Sequence, residues 1–255
     1  MTKAKIAETE PYDLASYINN LKPGKVAGAA EVGINLSAVS AEKFWQLFYP
    51  TKSLYEQKLY QAGARLIAGV DEVGRGCLAG PLVVAAVILP LDFTCPANLD
   101  DSKKLTAKKR ENLAAQIKKA AVAYHIETAS VEEIATYNIL EADKRAMIRA
   151  LKALSPQPDA VIADYVDLSY KTKYKSEHPA KGDSLSYSVA AASILAKVYR
   201  DQLMTELAQQ YPEYLWQKNK GYGTKEHYEA LDQYGPTIWH RELFLRKWKE
   251  KKQPE

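Results

Sequence analysis

The stretch that decides the fold is RLIAGVDEVGRG, residues 65–76. The run from Leu66 to Val70 is short and mostly apolar, which is typical of a β-strand. Two adjacent acids, Asp71 and Glu72, end this strand, and the glycines that follow allow a sharp turn with exposed backbone amides. Open α/β sheets place their functional sites at strand ends. The stretch therefore predicts a strand that delivers two carboxylates to a site.

The rest of the chain extends this strand into an α/β domain. PLVVAAVIL, residues 81–89, is rich in branched side chains and indicates a buried neighbouring strand. Helical and strand patterns then alternate, which favours a mixed sheet with helices on both faces. Residues suited to helix N-caps precede three of the helices. The predicted elements are helices over 106–123, 131–154, 188–211 and 224–235 and strands over 123–130 and 160–164, and the N-caps are Thr106, Ser186 or Ser188, and Thr224.

The chain is long enough, at 255 residues, for one large domain with a modest extension. Residues 1–62 hold short apolar patches and a helical pattern over 41–60. We therefore expect a small, mainly helical N-terminal extension over 1–62, followed by the main domain over 63–255 with a helical C-terminal part.

Composition excludes several classes of protein. Hydrophobic residues make up 47% and charged residues 26%, which excludes wholesale disorder and fibrous structure. Two cysteines, Cys77 and Cys95, do not make a disulfide framework. The N-terminus lacks the apolar core of a secretory signal, and the longest mostly apolar run, 77–90, is too short to cross a bilayer. We expect a soluble, cytoplasmic protein.

The distribution of charge says more than the net charge of +4. Basic residues concentrate in three stretches, 101–119, 171–181 and 246–252. A single lysine cluster usually lies on a solvated helix face, whereas three such stretches favour a polyanionic partner. An enzyme that acts on nucleic acid and a non-catalytic nucleic-acid-binding module both stay open at this point.

Two further acids, like Asp71 and Glu72, lie next to the ends of predicted elements. Asp164 ends the apolar strand AVIAD, and Asp183, in KGDS, shortly precedes the long helix. Alone, Asp183 is more often a turn or capping aspartate, and we expect Asp167 to be a polar loop residue. Together, Asp71, Glu72, Asp164 and Asp183 form a set of four oxygen ligands, which suits Mg²⁺ or Mn²⁺ rather than zinc.

Other catalytic chemistries lack their motifs. The sequences GxxxxGKS/T, GxGxxG and GxSxG are absent. The four histidines, at 125, 178, 227 and 240, are far apart in the sequence and do not indicate a zinc site. Cys77 lies beside the glycine-rich turn, where a small buried side chain is favoured over a catalytic thiol.

By these residues the chain resembles the prokaryotic ribonuclease HII family over about residues 65–244. The turn DEVGRG and the short extension favour this type over ribonuclease HIII, which usually carries a larger N-terminal domain. The motifs that carry the resemblance are LIAGVDEVGRG-x-LAGP at 66–81, DSKKL at 101–105, NIL…A…AM at 138–147, KGDS…S-x-S-V-AAASILAKV-x-RD at 181–201, NKGYGTKEH at 219–227 and GP…HR…F at 235–244.

The resemblance implies a ribonuclease H-like fold and a metal-dependent endonuclease. Such an enzyme hydrolyses the RNA strand of RNA–DNA hybrids and cuts on the 5′ side of ribonucleotides embedded in duplex DNA, leaving 3′-hydroxyl and 5′-phosphate ends. It implies that Asp71, Glu72, Asp164 and Asp183 are the catalytic residues and hold Mg²⁺ or Mn²⁺. It further implies that Gly74, Arg75, Gly76 and Tyr222 bind the ribonucleotide through its 2′-hydroxyl. We expect a monomer that binds no membrane.

The alternative of a non-catalytic binding module is disfavoured by the four acids, because unneeded carboxylates would repel phosphates. The chain departs from the family pattern at three places. Cys77 stands where the family usually has Pro, Tyr165 stands where many members have Gly, and HRELFLRKWKE at 240–250 differs from the usual ending.

Overall fold

The computed structural model describes residues 53–90, 106–169 and 172–250. Five strands form one mixed sheet in the order β3-β2-β1-β4-β5. The central strand β1 is antiparallel to β2 and parallel to β4, while β3 is antiparallel to β2 and β5 is parallel to β4. The strands are β1 (Ile67–Val73), β2 (Leu82–Ile88), β3 (Ala123–Ala129), β4 (Ala160–Ala163) and β5 (Lys175–Glu177). The predicted mixed α/β sheet is confirmed, and β5 is an addition to the predicted strands.

Helices lie on both faces of the sheet, as predicted. They are α1 (Leu54–Gln61), α2 (Ala107–Ala120), α3 (Val131–Lys152), α4 (Gly182–Leu185), α5 (Tyr187–Gln210), α6 (Trp216–Asn219), α7 (Lys225–Tyr234) and α8 (Arg246–Glu250). The side chains of Thr106, Ser186 and Thr224 accept hydrogen bonds from the first turns of α2, α5 and α7. The cap of the long helix α5 is therefore Ser186 and not Ser188.

The residues of β2 divide between two cores because successive side chains point to opposite faces of the sheet. Val84 and Ala86 pack in one cluster with residues of α3. Val83 and Ala85 pack in the other cluster with residues of α2 and α5. All seven residues of β2 are buried, so the continuous apolar run of the sequence reflects a strand covered on both faces.

A close contact between β1 and α5 sets the position of the long helix. A Cβ atom on Gly69 would lie 2.0 Å from the carbonyl carbon of Ser188, so only glycine allows the first turn of α5 to contact the strand. Ser193 and Lys197 follow on the same helix and line the same cavity as Asp71 and Glu72 of β1.

Helix α1 packs against the sheet and the start of α5. Leu59 is buried in one cluster with Ile67, Ile162 and Val189. The carboxylate of Glu56 accepts hydrogen bonds from the Ser186 hydroxyl (2.5 Å) and the Ser188 amide (3.1 Å), both at the start of α5. The remainder of the expected extension, residues 1–52, lies outside the described residues, and its boundary at 62 stays a prediction.

The C-terminal part is helical, as predicted, and has its own apolar cluster. Tyr214, Trp216, Leu231 and Leu245 are buried together there with the end of α5. In the described ranges no helix is long and apolar enough to cross a membrane. Cys95, the DSKKL motif, Lys171 at the start of the second basic stretch and residues 251–252 at the end of the third lie outside those ranges.

Candidate active site

The parallel strands β1 and β4 bring two aspartates together where their pairing stops. Asp71 lies within β1, which continues to Val73 and not, as predicted, only to the acids, and Asp164 directly follows β4. Val70 of β1 is paired with Ala163 of β4, so Asp71 and Asp164 follow side by side. The amide of Asp164 donates a hydrogen bond to the carbonyl of Val70 (3.1 Å), which continues the pairing of the strands. Parallel pairing therefore brings together two acids that are 93 positions apart in the chain.

The short helix α4 brings the fourth acid to the same place. The amide of Gly182 donates a hydrogen bond to Oδ1 of Asp164 (2.6 Å), and Asp183 is the next residue. Asp71, Glu72, Asp164 and Asp183 all line one cavity of about 420 Å³. The other residues that line it are Val73, Gly74, Arg75, Gly76, Arg110, Ser193, Ile194, Lys197 and Tyr222. Every residue that the sequence predicted for the site thus contributes to this cavity.

The carboxylates of the cavity are costly to ionise together. Burial raises the pKa of Asp71 to about 7, and the negative charges of Asp164 and Asp183 add to the increase, while a hydrogen bond from Ser193 opposes it. Burial also raises the pKa of Glu72, and the negative charges of Asp143 and Asp71 add to the increase. Like charges in a buried site favour either a retained proton or a bound cation.

The donor set fits a hard divalent cation. All four acids offer oxygen, and Oε2 of Glu72 is buried and has no hydrogen-bond partner among the described residues. Mg²⁺ and Mn²⁺ prefer such oxygen ligands. Within 53–90, 106–169 and 172–250, however, no three acid, histidine or cysteine side chains already converge into a cation-binding set. The assignment of these acids as metal ligands stays a prediction.

The glycine-rich turn packs against the buried side chain of Arg200 and is hydrogen-bonded by the buried Arg241. Gly74 has φ of +96°, and a Cβ atom there would lie 2.2 Å from Nε of Arg200. Nη1 of Arg241 donates hydrogen bonds to the carbonyls of Gly74 (2.7 Å) and Arg75 (3.0 Å). The carbonyls of Gly74 and Arg75 are thus bonded within the protein, which holds the turn at the wall of the cavity.

Tyr222 lies on a loop that is bonded to the segment after this turn. The amide of Leu78 donates a hydrogen bond to the carbonyl of Gly221 (2.8 Å). Nδ1 of His227 lies 2.9 Å from the carbonyl oxygen of Tyr222, and the Tyr222 side chain is 41% exposed. The tyrosine therefore has a fixed backbone and a ring accessible from the cavity.

Comparisons with known proteins decide the family. A family model described as ribonuclease HII matches residues 68–251. The chain belongs to the ribonuclease HII family. Ribonuclease HII of Thermosynechococcus vestitus is 51% identical over 199 residues, which are 77% of this chain and 92% of that protein. Ribonuclease HII of Geobacillus kaustophilus is 50% identical over 190 residues, which are 74% of this chain and 72% of that protein.

The fold comparison agrees. The crystal structure of ribonuclease H2 from Pyrococcus horikoshii OT3 matches with a TM-score of 0.61 and 27% identity, over 72% of this chain and 97% of that chain. As a ribonuclease HII, the protein is a metal-dependent endonuclease of the hydrolase class that acts on RNA–DNA hybrids. Family membership thus favours the enzyme over the non-catalytic binding module.

Several residues of this ribonuclease HII site were missed by sequence reasoning. Arg200 and Arg241 fell inside quoted motifs, but nothing in the motifs showed that Arg241 binds the carbonyl of Gly74 or that Arg200 binds the carbonyl of Ala79. Asp143 forms an ion pair with Arg75 and is fully buried. Its signal was an acid flanked by Ala142, Ala146 and Met147 on the apolar side of α3. The cavity-lining residues that were also missed are Val73, Ser193, Ile194 and Lys197, whereas Arg110 belongs to the first basic stretch.

The departures from the family pattern have local explanations. Cys77 is buried, as predicted, with Sγ 3.7 Å from the carbonyl of Lys220. Tyr165 has φ of +60°, a conformation that favours the glycine many members carry, and it is 71% exposed. His240 and Arg241 at the start of the atypical ending are buried and serve the fold. Asp167 is a loop residue, as predicted, and accepts a hydrogen bond from the amide of Ser169.

Proposed function

We propose that this ribonuclease HII cuts on the 5′ side of a ribonucleotide embedded in duplex DNA, in addition to hydrolysing the RNA strand of hybrids, and leaves 3′-hydroxyl and 5′-phosphate ends. One observation carries the proposal. The four acids share a single cavity with the Gly74–Gly76 turn and with Tyr222. A nucleotide recognised by the turn and the tyrosine would thus have its phosphate beside the carboxylates.

Asp71, Glu72, Asp164 and Asp183 are the proposed catalytic residues and would hold Mg²⁺ or Mn²⁺. Divalent ions at such a site activate water and stabilise the leaving oxygen of an in-line displacement. Asp71 lies in β1, and Asp164 directly follows the paired strand β4 and donates a hydrogen bond from its amide to Val70, so their backbones are held relative to each other. Ser193 holds Asp71 through a hydrogen bond, and the Gly182 amide holds Asp164. These contacts orient the carboxylates before a ligand binds.

The turn and Tyr222 are the proposed readers of the ribonucleotide. The 2′-hydroxyl is the group that distinguishes RNA from DNA at one position, and it can both donate and accept a hydrogen bond. Backbone groups of Gly74, Arg75 and Gly76 and the phenol of Tyr222 are suitable partners. Because Arg241 fixes the turn and His227 contacts the Tyr222 backbone, the two partners keep a constant separation.

Basic residues at the cavity would bind the backbone of the substrate. Arg110 and Lys197 line the cavity, and Lys197 is held by an ion pair with Asp201 (2.8 Å). Lys108 and Lys109 are exposed on the first turn of α2. Phosphate contacts of this kind are independent of sequence and weaken steeply with salt. We further propose that the protein acts as a monomer in the cytoplasm.

The test is a cleavage assay with a matched pair of variants. Wild-type protein is incubated with a uniform RNA–DNA hybrid and with a DNA duplex that holds one ribonucleotide, in Mg²⁺, Mn²⁺ or EDTA. We expect cleavage of both substrates with metal and none in EDTA. Asp164→Asn should abolish cleavage, whereas Asp167→Asn, which changes the same charge three residues later on a loop, should retain it. Cleavage in EDTA or full activity of Asp164→Asn would contradict the proposal.

A further inference from the structure

The guanidinium of Arg75 lies between two carboxylates. Its Nη2 atom is 3.2 Å from Oε1 of Glu72 and forms a closer ion pair with Oδ2 of Asp143. Asp143 has no exposed side-chain surface, and its neighbours Ala142 and Ala146 on α3 are buried in the core cluster under the sheet. A buried carboxylate is strongly unfavourable without a partner. The pairing with Arg75 is therefore what allows an acid at this apolar position.

The contacts among Glu72, Arg75 and Asp143 leave both charge and hydrogen-bonding atoms unbalanced. Two carboxylates and one guanidinium leave one negative charge in excess when all are ionised. Oε2 of Glu72 and Oδ1 of Asp143 are both buried without a hydrogen-bond partner among the described residues. Glu72 lines the cavity with the other acids, whereas Asp143 does not line it and is reached through Arg75. A cation that enters the cavity can therefore bind the unpaired oxygen of Glu72.

We propose that Asp143 is a positioning residue for the metal site, which retains Arg75 when a divalent cation engages Glu72. The inference rests on the proposed metal site. In the absence of metal, Arg75 is shared by Glu72 and Asp143. A cation on Glu72 repels the guanidinium, and the carboxylate of Asp143 keeps it at the cavity wall. Without Asp143, Glu72 is the remaining partner of the guanidinium, and the two cations compete for one carboxylate.

A positioning role and a merely structural role for Asp143 predict different effects on metal affinity. A structural role for Asp143 affects the stability of the fold and leaves the affinity for metal unaltered in molecules that are folded. A positioning role changes the metal affinity of the folded protein, and the change depends on the presence of Arg75. Residues behind the ligands of metal sites typically alter affinity by about 10–100-fold when substituted.

The experiment measures Mn²⁺ binding by isothermal titration calorimetry, without nucleic acid, after folding of each variant is verified by circular dichroism. We expect Asp143→Asn to bind Mn²⁺ roughly tenfold more weakly than the wild type. Glu141→Gln is the matched control, because Glu141 is on the same helix and pairs with Arg145 at the surface. It should bind as the wild type does. Asp143→Ala, which leaves no polar group at the buried position, serves if the Asn variant does not fold.

A double-mutant cycle shows whether Asp143 acts through Arg75. In an Arg75→Ala background, adding Asp143→Asn should change the affinity by less than about twofold, because the competing cation is gone. Equal effects in both backgrounds, or unchanged affinity in Asp143→Asn, would overturn the inference while leaving the metal site intact. Absence of Mn²⁺ binding by the wild type and by Glu141→Gln would instead overturn the metal site, and this inference with it.

Discussion

The Nε2 atoms of His227 and His240 lie 3.0 Å apart in the interior of the C-terminal part. The amide of Thr237 donates to Nδ1 of His240, so the proton of His240 is on Nε2 and is donated to His227. His227 then carries its proton on Nδ1 and donates it to the carbonyl of Tyr222 (2.9 Å). Both rings are neutral in this arrangement, and a chain of hydrogen bonds leads from His240 to the backbone of Tyr222.

The histidine pair predicts a loss of stability in mild acid. Burial lowers the pKa of His240 to about 3, and the neighbouring His227 contributes to the decrease. The unfolded chain takes up a proton near pH 6.5, whereas the folded chain does not. The contribution of His240 to stability is therefore complete above pH 6.5 and is lost as the pH falls toward 3. Between pH 7.5 and 5 we expect a loss of about 1–2 kcal/mol from this group.

Urea unfolding of wild type and His240→Gln over this pH range measures the effect. The variant should be less stable at pH 7.5, because it loses buried hydrogen bonds, and its stability should fall less steeply toward pH 5. Parallel pH curves for the two proteins would show that His240 takes up its proton equally in both states. That result would contradict the buried neutral pair.

Tyr222→Phe should reduce selection of the ribonucleotide. The variant keeps the ring and removes the hydroxyl, so we expect the preference for a ribonucleotide-containing duplex over all-DNA duplex to fall by about 5–10-fold. Binding to all-DNA duplex should change little. A competition binding assay measures both quantities. Tyr228→Phe removes the hydroxyl of a nearby exposed tyrosine and is the control that should keep the preference. An unchanged preference in Tyr222→Phe would remove this role from the tyrosine.

Asp71→Asn should abolish cleavage and stabilise the metal-free protein. Because burial raises the pKa of Asp71 to about 7, ionising the carboxyl opposes folding above that pH. The opposing contribution disappears as the pH falls from 7 to 4, where the folded state takes up the proton before the unfolded state. In EDTA we expect the variant to be more stable than the wild type by about 1–3 kcal/mol at pH 8, with a smaller difference at pH 5.

Urea titrations at both pH values, combined with a cleavage assay, check the Asp71 prediction. Glu229→Gln, on the exposed surface of α7, changes the same charge and should affect neither quantity. A variant that is inactive but less stable than the wild type at pH 8 would show that Asp71 is stabilising when charged. That outcome would contradict the interpretation that the charged form of Asp71 is unfavourable without a bound cation.

Glu56 should stabilise the start of α5 through hydrogen bonds rather than through charge. Its carboxylate accepts from Ser186 and Ser188, and burial raises its pKa. Glu56→Ala leaves both donors unpaired and should lower stability by about 1–2 kcal/mol. Glu56→Gln retains an acceptor oxygen without the charge and should lie within about 0.5 kcal/mol of the wild type. Thermal unfolding compares the two, and equal losses in both variants would show that the charge itself is needed.

The sequence predicted the elements whose patterns are local. Apolar runs identified β1, β2 and β4, and capping residues placed the starts of α2, α5 and α7. It did not predict β5, which is only three residues long and has no apolar pattern. It also missed a break at Asn138, where φ is +64° inside α3 and the side chain accepts hydrogen bonds from the next turn. Short and irregular features of this kind depend on tertiary contacts.

Three of the four acids in the candidate site were predicted because they follow short apolar runs. The contacts between residues far apart in the chain were missed. Asp71 and Asp164 carry their signal within a few residues. The ion pair of Arg75 with Asp143 joins residues 68 positions apart. The histidine pair joins His227 of α7 to His240, which lies beyond the end of that helix. Spacing along the chain does not report such contacts. They follow from packing α3 and α7 onto their neighbours.

The central claim is that four acids and a ribonucleotide-reading turn act in one cavity. The most direct measurement maps the cut in a DNA duplex that holds one ribonucleotide, with label at either end of that strand and Mn²⁺ or Mg²⁺ present. We expect a single cut immediately 5′ of the ribonucleotide, with a 3′-hydroxyl on one fragment and a 5′-phosphate on the other. A cut on the 3′ side of the ribonucleotide, cuts spread along the DNA, or no cut under either metal would contradict this account.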